Sequence, residues 1–286
     1  MTRPGEEDGT HGAQRNGWTI AGWITLAVMA VIALLPIYWM ALSSVRSDEA
    51  LSRWPPALSP FAEEVTLGAW TQVLGNEQTW SWLVNSSLIA LGSVATTLLI
   101  ATPAAYALSR GTGALIGTGA ALLFVSKLLP ATVLITPLYV MMRGLGLLGS
   151  PVSVLLGNLS FAVPLATFVL KGYIDTVPRS IDEAAAIDGA SRLRTLATII
   201  TPNLAPALSA VAIYVFVVSW NDFIFARTFL AGGKATTITV GATQFMGEYQ
   251  THWNQLMAVS CLATLPCLTF FLLLQRHLVR GLRQGL

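Results

Sequence analysis

The 286-residue sequence has little charge. Only 10% of its residues are Asp, Glu, Lys or Arg, whereas 54% are hydrophobic. A typical soluble domain carries roughly 25% charged residues, so this composition argues against a soluble globule. The formal net charge is +2 and the basic residues are dispersed along the chain. We therefore expect no nucleic-acid partner, because nucleic-acid-binding surfaces concentrate Lys and Arg.

Cysteine is also scarce. The two cysteines, Cys261 and Cys267, lie in one apolar stretch and have no metal-ligating neighbours at a suitable spacing. We interpret them as small buried hydrophobic residues, which excludes a disulfide framework and predicts no metal site. The sequence also lacks a Gly-Lys-Ser/Thr phosphate-binding loop. We therefore expect that it neither binds nor hydrolyses ATP by itself.

Long apolar runs are what the sequence has instead. Runs near 20 residues are long enough to cross a bilayer as helices. We predict an all-α, polytopic membrane protein with a disordered cytoplasmic tail over residues 1–17 and a six-span membrane domain over residues 18–286. The predicted spans are residues 18–42, 83–108, 115–142, 152–170, 204–225 and 256–274.

The distribution of positive charge orients these spans. With both termini in the cytoplasm, ten of the 16 Lys and Arg residues fall inside, five fall outside, and Lys127 lies within a span. Cytoplasmic loops are enriched in Lys and Arg, so we predict that both termini are cytoplasmic. Two long outside segments, about 43–82 and 227–255, contain Trp and Pro. They fit either the lipid–water interface or contact with a partner.

The spans contain residues that an inert anchor does not need. Prolines kink or end helices, and the freed carbonyls need polar side chains, neighbouring helices or a wet cavity. Broken helices with interior polar groups are typical of a transport pathway. The prolines are Pro36, Pro103, Pro130, Pro137, Pro164, Pro202, Pro206 and Pro266, and the polar residues include Asn85, Lys127, Asn158, Asn221 and Asp222.

A polar interval, VPRSIDEAAAIDGASRLRTLATIITP from Val177, separates the fourth and fifth spans. Ser180 and Glu183 have the spacing of a capping box, and Gly189 is suited to a left-handed helix end. A second helix is predicted to begin near Ser191. The pattern predicts a helix–Gly–helix elbow over about 178–200. It fits either a docking element with a small alanine face or a plain amphipathic connector on the membrane surface.

This interval resembles the EAA motif of the permease subunits of ATP-binding cassette (ABC) importers. The family pattern is Glu-Ala-Ala, three residues, Gly, nine residues, Ile and a later Pro, and Asp before the Gly matches its sugar-importing branch. Thr201 stands where Leu is common. The matching residues are Glu183, Ala184, Ala185, Asp188, Gly189, Ile199 and Pro202.

Further stretches are similar to the maltose-type carbohydrate branch of these binding-protein-dependent transport system inner membrane components. The resemblance covers roughly residues 82–280 in the same order, whereas the C-terminal tail is only loosely similar. The similar stretches are Asn85-Ser86, the AYALSR sequence of residues 105–110, TPLYV of 136–140, LGLL of 145–148 and WNDF of 220–223.

The resemblance implies a non-catalytic permease subunit of a sugar importer in a prokaryotic plasma (inner) membrane. Implied partners are a second permease, two copies of a cytoplasmic ATPase that holds the ATP and Mg²⁺, and an extracytoplasmic solute-binding protein. It implies that the elbow couples to the ATPase, with a direct contact by Glu183. The implied coupling residues are Glu183, Ala184, Ala185, Asp188 and Gly189.

The expected substrate is a disaccharide or oligosaccharide. Asparagine amides can hydrogen-bond hydroxyls, and Trp220 or Tyr106 can stack on a sugar ring. Asn85 equally fits a structural role, in which its side chain hydrogen-bonds the backbone groups that a helix kink leaves unpaired. For Lys127 and Asp222 we consider an ion pair, an interfacial role and a substrate contact. The candidate pathway residues are Asn85, Lys127, Asn158, Trp220, Asn221 and Asp222.

Three other functions compete with sugar import. A permease for a glycerophosphodiester would favour more basic residues in the pathway than Lys127 alone. A secondary transporter would need intramembrane carboxylates or inverted repeats, and only Asp222 is a candidate carboxylate near a span. A non-transporting scaffold would not need the elbow.

Overall fold

A computed structural model describes residues 8–54, 58–59, 65–247 and 249–284, and describes side chains from residue 21 to residue 276 within these ranges. Residues 1–7 of the predicted tail lie outside the described residues. The described residues are helical apart from turns and one isolated bridge between Met246 and Thr251. The all-α prediction is confirmed.

The described helices are numbered in chain order. They are α1 (Asp8–Ser43), α2 (Asp48–Leu51), α3 (Gly68–Gly75), α4 (Glu77–Arg110), α5 (Ala114–Leu128), α6 (Ala131–Gly144), α7 (Pro151–Thr176), α8 (Arg179–Ile187), α9 (Arg192–Thr195), α10 (Thr201–Asn203), α11 (Ala205–Trp220), α12 (Ile224–Phe229), α13 (Ile238–Ala242) and α14 (Trp253–Gln284), with a π-helical segment at Leu196–Ile200 and a 3-10 turn at Thr243–Phe245.

Four of these helices contain a segment that is long and apolar enough to cross a bilayer. They match four of the predicted spans, although α1 already begins at Asp8, inside the predicted tail. Residues 21–38 of α1 are exposed on every side of the helix, as expected of an apolar helix that faces lipid. The four segments are Ala21–Ser43, Glu77–Arg110, Pro151–Thr176 and Trp253–Arg276.

The predicted third span, 115–142, is not one continuous helix. It consists of α5 and α6, which meet at an angle of 107°. Leu129 has extended backbone angles (φ −81°, ψ 123°) directly before Pro130. A proline ring disfavours helical geometry in the preceding residue, so Pro130 ends α5. By contrast, Pro36, Pro103, Pro137, Pro164 and Pro266 lie inside continuous helices.

The predicted fifth span, 204–225, is shorter in the structure, because α11 ends at Trp220 rather than at residue 225. A bend of 81° separates Arg192–Asn203 from Ala205–Trp220 and lies at the start of the predicted span. With 16 residues α11 is roughly 24 Å long, shorter than a typical hydrocarbon core. The described residues therefore contain four spans, or up to six if each bent pair counts as one.

Helices α4 and α7 form the centre of the packing, and α11 lies against both. Gly157 lets aromatic rings approach α7 closely, because a Cβ there would lie 3.1 Å from the ring of Phe229 and 3.2 Å from that of Phe225. The main cluster of buried residues joins α4, α7, α11 and α14, and includes Leu170, Ile174, Val211 and Val215.

Segments from distant parts of the sequence meet at each end of this bundle. At one end, the last turn of α4 contacts the end of α7 and the elbow: the Ser109 hydroxyl donates to Asp175 at 2.6 Å. At the opposite end, Asp48 contacts the His252 ring at 3.2 Å, and the Asn85 amide donates to the Thr236 carbonyl at 3.1 Å. The bundle thus has an elbow end and a loop end.

Candidate functional site

The first helix of the elbow starts two residues earlier than a Ser180 cap would place it. Pro178 is the N-cap residue of α8, with extended angles (φ −58°, ψ 136°), and no side chain caps this helix. The predicted capping box of Ser180 and Glu183 is therefore wrong. The proline fixes the chain direction at the helix start, so Ser180 lies within the first turn rather than before it.

The glycine turn has the predicted left-handed conformation. Gly189 has a φ of +77°, which residues with a Cβ adopt only at a cost. Its N–H bonds the Ala186 carbonyl at 3.0 Å, and the Ala190 N–H bonds the Ala185 carbonyl at 2.9 Å. The Ser191 hydroxyl then caps α9 by accepting the Arg194 N–H. The first two bonds pair backbone carbonyls at the end of α8, and the turn leads the chain directly into α9.

Helix α8 has an exposed face and a buried face. The exposed face, as defined here, consists of Glu183, Ala184, Ile187 and Asp188. Ile187 is 87% exposed, and Leu193 on α9 is 74% exposed. Large exposed apolar side chains beside an acidic residue are typical of a contact surface for another protein. Ala185, by contrast, is 4% exposed and packs within the chain.

Asp182 anchors the buried side of α8 to the end of α4. Its Oδ1 accepts the Tyr106 hydroxyl at 2.5 Å, and its Oδ2 pairs with Nε of Arg110 at 2.9 Å. The Arg110 and Asp182 side chains are 11% and 19% exposed. Tyr106, which the sequence suggested as a sugar-stacking residue, thus has its hydroxyl on the elbow. We refer to Tyr106, Arg110 and Asp182 as the Asp182 cluster.

Two further arginine contacts join the same segments. A terminal nitrogen of Arg110 donates to the Val177 carbonyl at 2.8 Å, and one of Arg179 donates to the Ser109 carbonyl at 3.2 Å. The sequence did not predict these contacts, although the AYALSR stretch that resembles the family contains Ser109 and Arg110. A cavity of about 340 Å³ lies beside the cluster and is lined by Tyr106, Arg110, Arg179, Asp182, Glu183, Ala186, Ala190, Arg192 and Thr195.

Asn85 and Asp222 hold local backbone at the loop end. The neighbour of Asn85, Ser86, accepts the Ile238 N–H at 2.9 Å, so this part of α4 fixes the segment leading into α13. Asp222 accepts the N–H groups of Phe225 at 3.3 Å and Ala226 at 3.0 Å. It therefore pairs with backbone N–H groups in the first turn of α12 that lack partners within the helix, as a helix-capping carboxylate does.

Lys127 and Asn158 lie on α5 and α7. The Lys127 ammonium donates to the Phe161 carbonyl at 2.8 Å, so it does not need Asp222 as a partner, and the two are not an ion pair in the structure. Asn158 is 5% exposed, and its amide nitrogen has no hydrogen-bond partner among the described residues. A buried amide without a partner costs free energy, which makes Asn158 a candidate for a contact that forms in another state.

Trp220 and Asn221 share a cavity of about 410 Å³. The Trp220 indole donates to the Ala263 carbonyl at 3.1 Å, and its ring stacks on Phe216 with centroids 5.6 Å apart. The Asn221 amide donates to the Val217 carbonyl at 2.8 Å and leaves its oxygen available. The cavity is lined by Met40, Val217, Trp220, Asn221, Ile238, Thr239, Ala242, Val259, Ser260, Ala263, Thr264 and Cys267.

The six candidate pathway residues therefore do not form one site. Trp220 and Asn221 line one cavity, whereas Asn85 and Asp222 bind backbone near α12 and α13, and Lys127 and Asn158 belong to the α5–α7 side. Within the described part of the chain, no group of three or more His, Cys, Asp or Glu residues is placed to hold a metal ion. The described candidate residues can form hydrogen bonds and contacts with other proteins.

The known proteins that this chain resembles are permease subunits of transport systems. The profile of the family described as "Binding-protein-dependent transport system inner membrane component" matches residues 19–284. The trehalose/maltose transport system permease protein MalG of Thermococcus litoralis is 35% identical over 266 residues, covering 90% of this chain and 92% of that protein. The trehalose transport system permease protein SugB of Mycobacterium tuberculosis is 30% identical, covering 92% and 96%.

A solved structure has the same fold. It is the crystal structure of a bacterial ABC transporter involved in the import of the acidic polysaccharide alginate. One of its chains superposes with a TM-score of 0.78 and 20% sequence identity, covering 96% of this chain and 99% of that chain.

Proposed function

This chain belongs to the family of binding-protein-dependent transport system inner membrane components, and we propose that it forms half of the translocation pathway of an ATP-driven importer and couples to an ATPase through its elbow. It is a non-catalytic permease subunit of a sugar ABC importer and a multi-pass inner membrane protein. The observation that supports coupling most directly is the exposed face of α8, because Glu183 and Ile187 are exposed within the described part of the chain.

The elbow has the features of a docking element for the ATPase. Glu183 offers a negative charge to a basic residue of the partner, Ala184 permits close approach, and Ile187 and Leu193 supply apolar area. Asp188 and Gly189 shape the turn, and Ala185 acts from inside by packing the helix onto its own chain. A plain surface connector would not need its charged buried side to be fixed by Arg110.

The family implies a partner ATPase and a substrate-binding protein. We propose the fuller assembly of a second permease and two ATPase subunits, in which two permeases enclose the pathway. ATP and Mg²⁺ belong to the ATPase. ATP binding and the loaded binding protein then bias one equilibrium between inward-open and outward-open states from opposite sides of the membrane.

The proposed substrate is a disaccharide or oligosaccharide. Relatives named for trehalose and maltose transport support it, and the relatives do not favour a glycerophosphodiester permease or a secondary transporter. The cavity of Trp220 and Asn221 combines an aromatic ring, an amide and hydroxyls, and its volume of about 410 Å³ is in the range of small-molecule sites. We propose that it contributes to the sugar pathway.

We further propose that both termini and the elbow are cytoplasmic. Ten basic residues would then lie inside and five outside, in agreement with the positive-inside tendency. The packing supports a common side for the predicted cytoplasmic segments, because Ser109 and Arg110 contact Asp175, Val177 and Asp182. The predicted outside segments likewise contact each other through Asp48 and His252.

Co-purification tests the coupling assignment. The chain is co-expressed with the ATPase and second permease encoded beside it, and ATPase recovery is measured for wild type, Glu183→Ala and the control Glu49→Ala. Glu49 is exposed at the loop end. We expect about tenfold lower ATPase recovery with Glu183→Ala, because a charged contact worth roughly 1.4 kcal/mol is lost, and no loss with Glu49→Ala. Equal recovery in all three preparations would refute docking through Glu183.

A further inference from the structure

We propose that the Asp182 cluster is a positioning device that makes the elbow and the cytoplasmic ends of α4 and α7 move as one unit, so that Arg110 and Asp182 determine how much transport each ATP hydrolysis produces. This inference rests on the proposed coupling function. It concerns residues on the side of α8 opposite to the exposed face, which do not need to touch the ATPase.

The last turn of α4 is the first component. Arg110 uses Nε for Asp182 at 2.9 Å and a terminal nitrogen for the Val177 carbonyl at 2.8 Å. One guanidinium thus bridges Val177 at the end of α7 and the carboxylate of Asp182 in the first turn of α8. A planar guanidinium with several fixed donors suits such a bridge better than an ammonium does.

The elbow returns a bond to the same turn of α4. Arg179, the first residue of α8, donates to the carbonyl of Ser109 at 3.2 Å. This carbonyl lies in the last turn of α4, where carbonyls lack partners within the helix. The connection between α4 and the elbow therefore runs in both directions, with Arg110 of α4 reaching α8 and Arg179 of α8 reaching α4.

Helix α7 is also bonded to the last turn of α4, at Ser109. The Ser109 hydroxyl donates to Oδ1 of Asp175 at 2.6 Å, and Lys171 pairs with Oδ2 of Asp175 at 2.7 Å. Lys171 and Asp175 are more exposed than Arg110 and Asp182. Charge-assisted bonds are stronger where water is excluded, so Arg110–Asp182 is the main connection and Asp175 a supporting one.

These contacts determine which helices move when the elbow is displaced. A force on Glu183 or Ile187 acts on the exposed face of α8, while the opposite side is bonded to α4 and α7. Because α4 and α7 pack against each other more extensively than any other pair of described helices, a displacement of α8 moves this pair. Without Asp182 or Arg110 the elbow would still present its exposed face and dock, but would transmit less of the movement.

The test compares transport per ATP hydrolysed in purified, reconstituted importer. The variants are Arg110→Gln and Asp182→Asn, and the control is Arg143→Gln, an exposed arginine outside the elbow. We expect both variants to retain the ATPase in the complex and to hydrolyse ATP, while sugar moved per ATP falls at least fivefold. The control should match wild type. Variants with the wild-type ratio would overturn the proposal.

A reversible crosslink separates this positioning role from a folding defect. Arg110→Cys and Asp182→Cys are combined in a chain whose Cys261 and Cys267 are replaced by alanine, and are bridged by a short bifunctional methanethiosulfonate. The uncrosslinked pair should be poorly coupled. Bridging should restore at least half of the parent ratio, and reduction should abolish the gain.

Two results of the crosslink would contradict the proposal. If bridging blocks uptake, the elbow and α4 must move apart during transport. If bridging leaves the ratio as low as in the uncrosslinked pair, a fixed connection is not what the cluster provides. Absence of the ATPase from the wild-type complex would instead refute the proposed coupling function itself.

Discussion

At the residue scale, the polar side chains of the spans differ in what they still offer to a substrate. Lys127 donates to Phe161, 34 positions away, and Asn85 donates to Thr236, 151 positions away. Their residue types suggested a pathway, but only the folded chain shows these backbone partners. Asn158 and Asn221 retain hydrogen-bonding capacity, the first in a buried amide nitrogen and the second in an amide beside a cavity.

Asp222 gives a prediction at this scale. Because its carboxylate accepts two N–H groups at the start of α12, Asp222→Ala should cost about 1 kcal/mol of stability, or a fall in Tm of roughly 2–4 °C. Asp222→Asn, which keeps one acceptor oxygen, should lose less. Thermal unfolding of the purified complex measures both, and the KM for sugar uptake should not change. An unchanged Tm with a raised KM would indicate a substrate contact instead.

At the scale of elements, hydropathy located the apolar segments but not their breaks. The ends of α4 and α7 extend only a few residues beyond the predicted 83–108 and 152–170. The run of residues 115–142 is predominantly apolar, yet it turns by 107° at Pro130. Several other prolines remain inside helices, so the proline alone did not identify the break. The outcome depends on packing against α7 and α12, which a single sequence does not show.

The elbow shows the same division between local and distant effects. The Gly189 turn and the start of a second helix near Ser191 follow from local backbone chemistry and were predicted. The pairing of Arg110 with Asp182 joins residues 72 positions apart and was not, because nothing local selects one carboxylate among Asp175, Asp182, Glu183 and Asp188. The buried position of Ala185 has the same origin, since it depends on which face of α8 the chain covers.

Topology provides a prediction at the element scale. Single cysteines at Ala186 and Lys234, both exposed positions, are introduced into a cysteine-free chain. In intact cells a membrane-impermeant maleimide should label the cysteine at position 234 and spare the one at position 186. Permeabilised cells should show labelling of both, which serves as the control for reactivity. Equal labelling of both positions in intact cells would contradict the proposed sidedness.

At the scale of the whole molecule, the chain leaves surfaces that a permease in a larger assembly requires. Residues 21–38 of α1 form an apolar helix surface that the rest of the described chain leaves exposed. The elbow end presents Glu183 and Ile187, and the loop end joins the segments of Asp48 and His252. The elbow end is connected to the cavity of Trp220 and Asn221 by α4 and the helix packed against it, α11.

The energy source of uptake distinguishes an ATP-driven importer from a secondary transporter. The chain is reconstituted into liposomes with its partner permease, ATPase and binding protein, with ATP in the compartment that holds the ATPase, and uptake of a labelled disaccharide or oligosaccharide is measured with and without a protonophore. We expect uptake that requires ATP and the binding protein and is unaffected by the protonophore. Uptake without ATP that collapses when the protonophore is added would show a secondary transporter and contradict ATP-driven import.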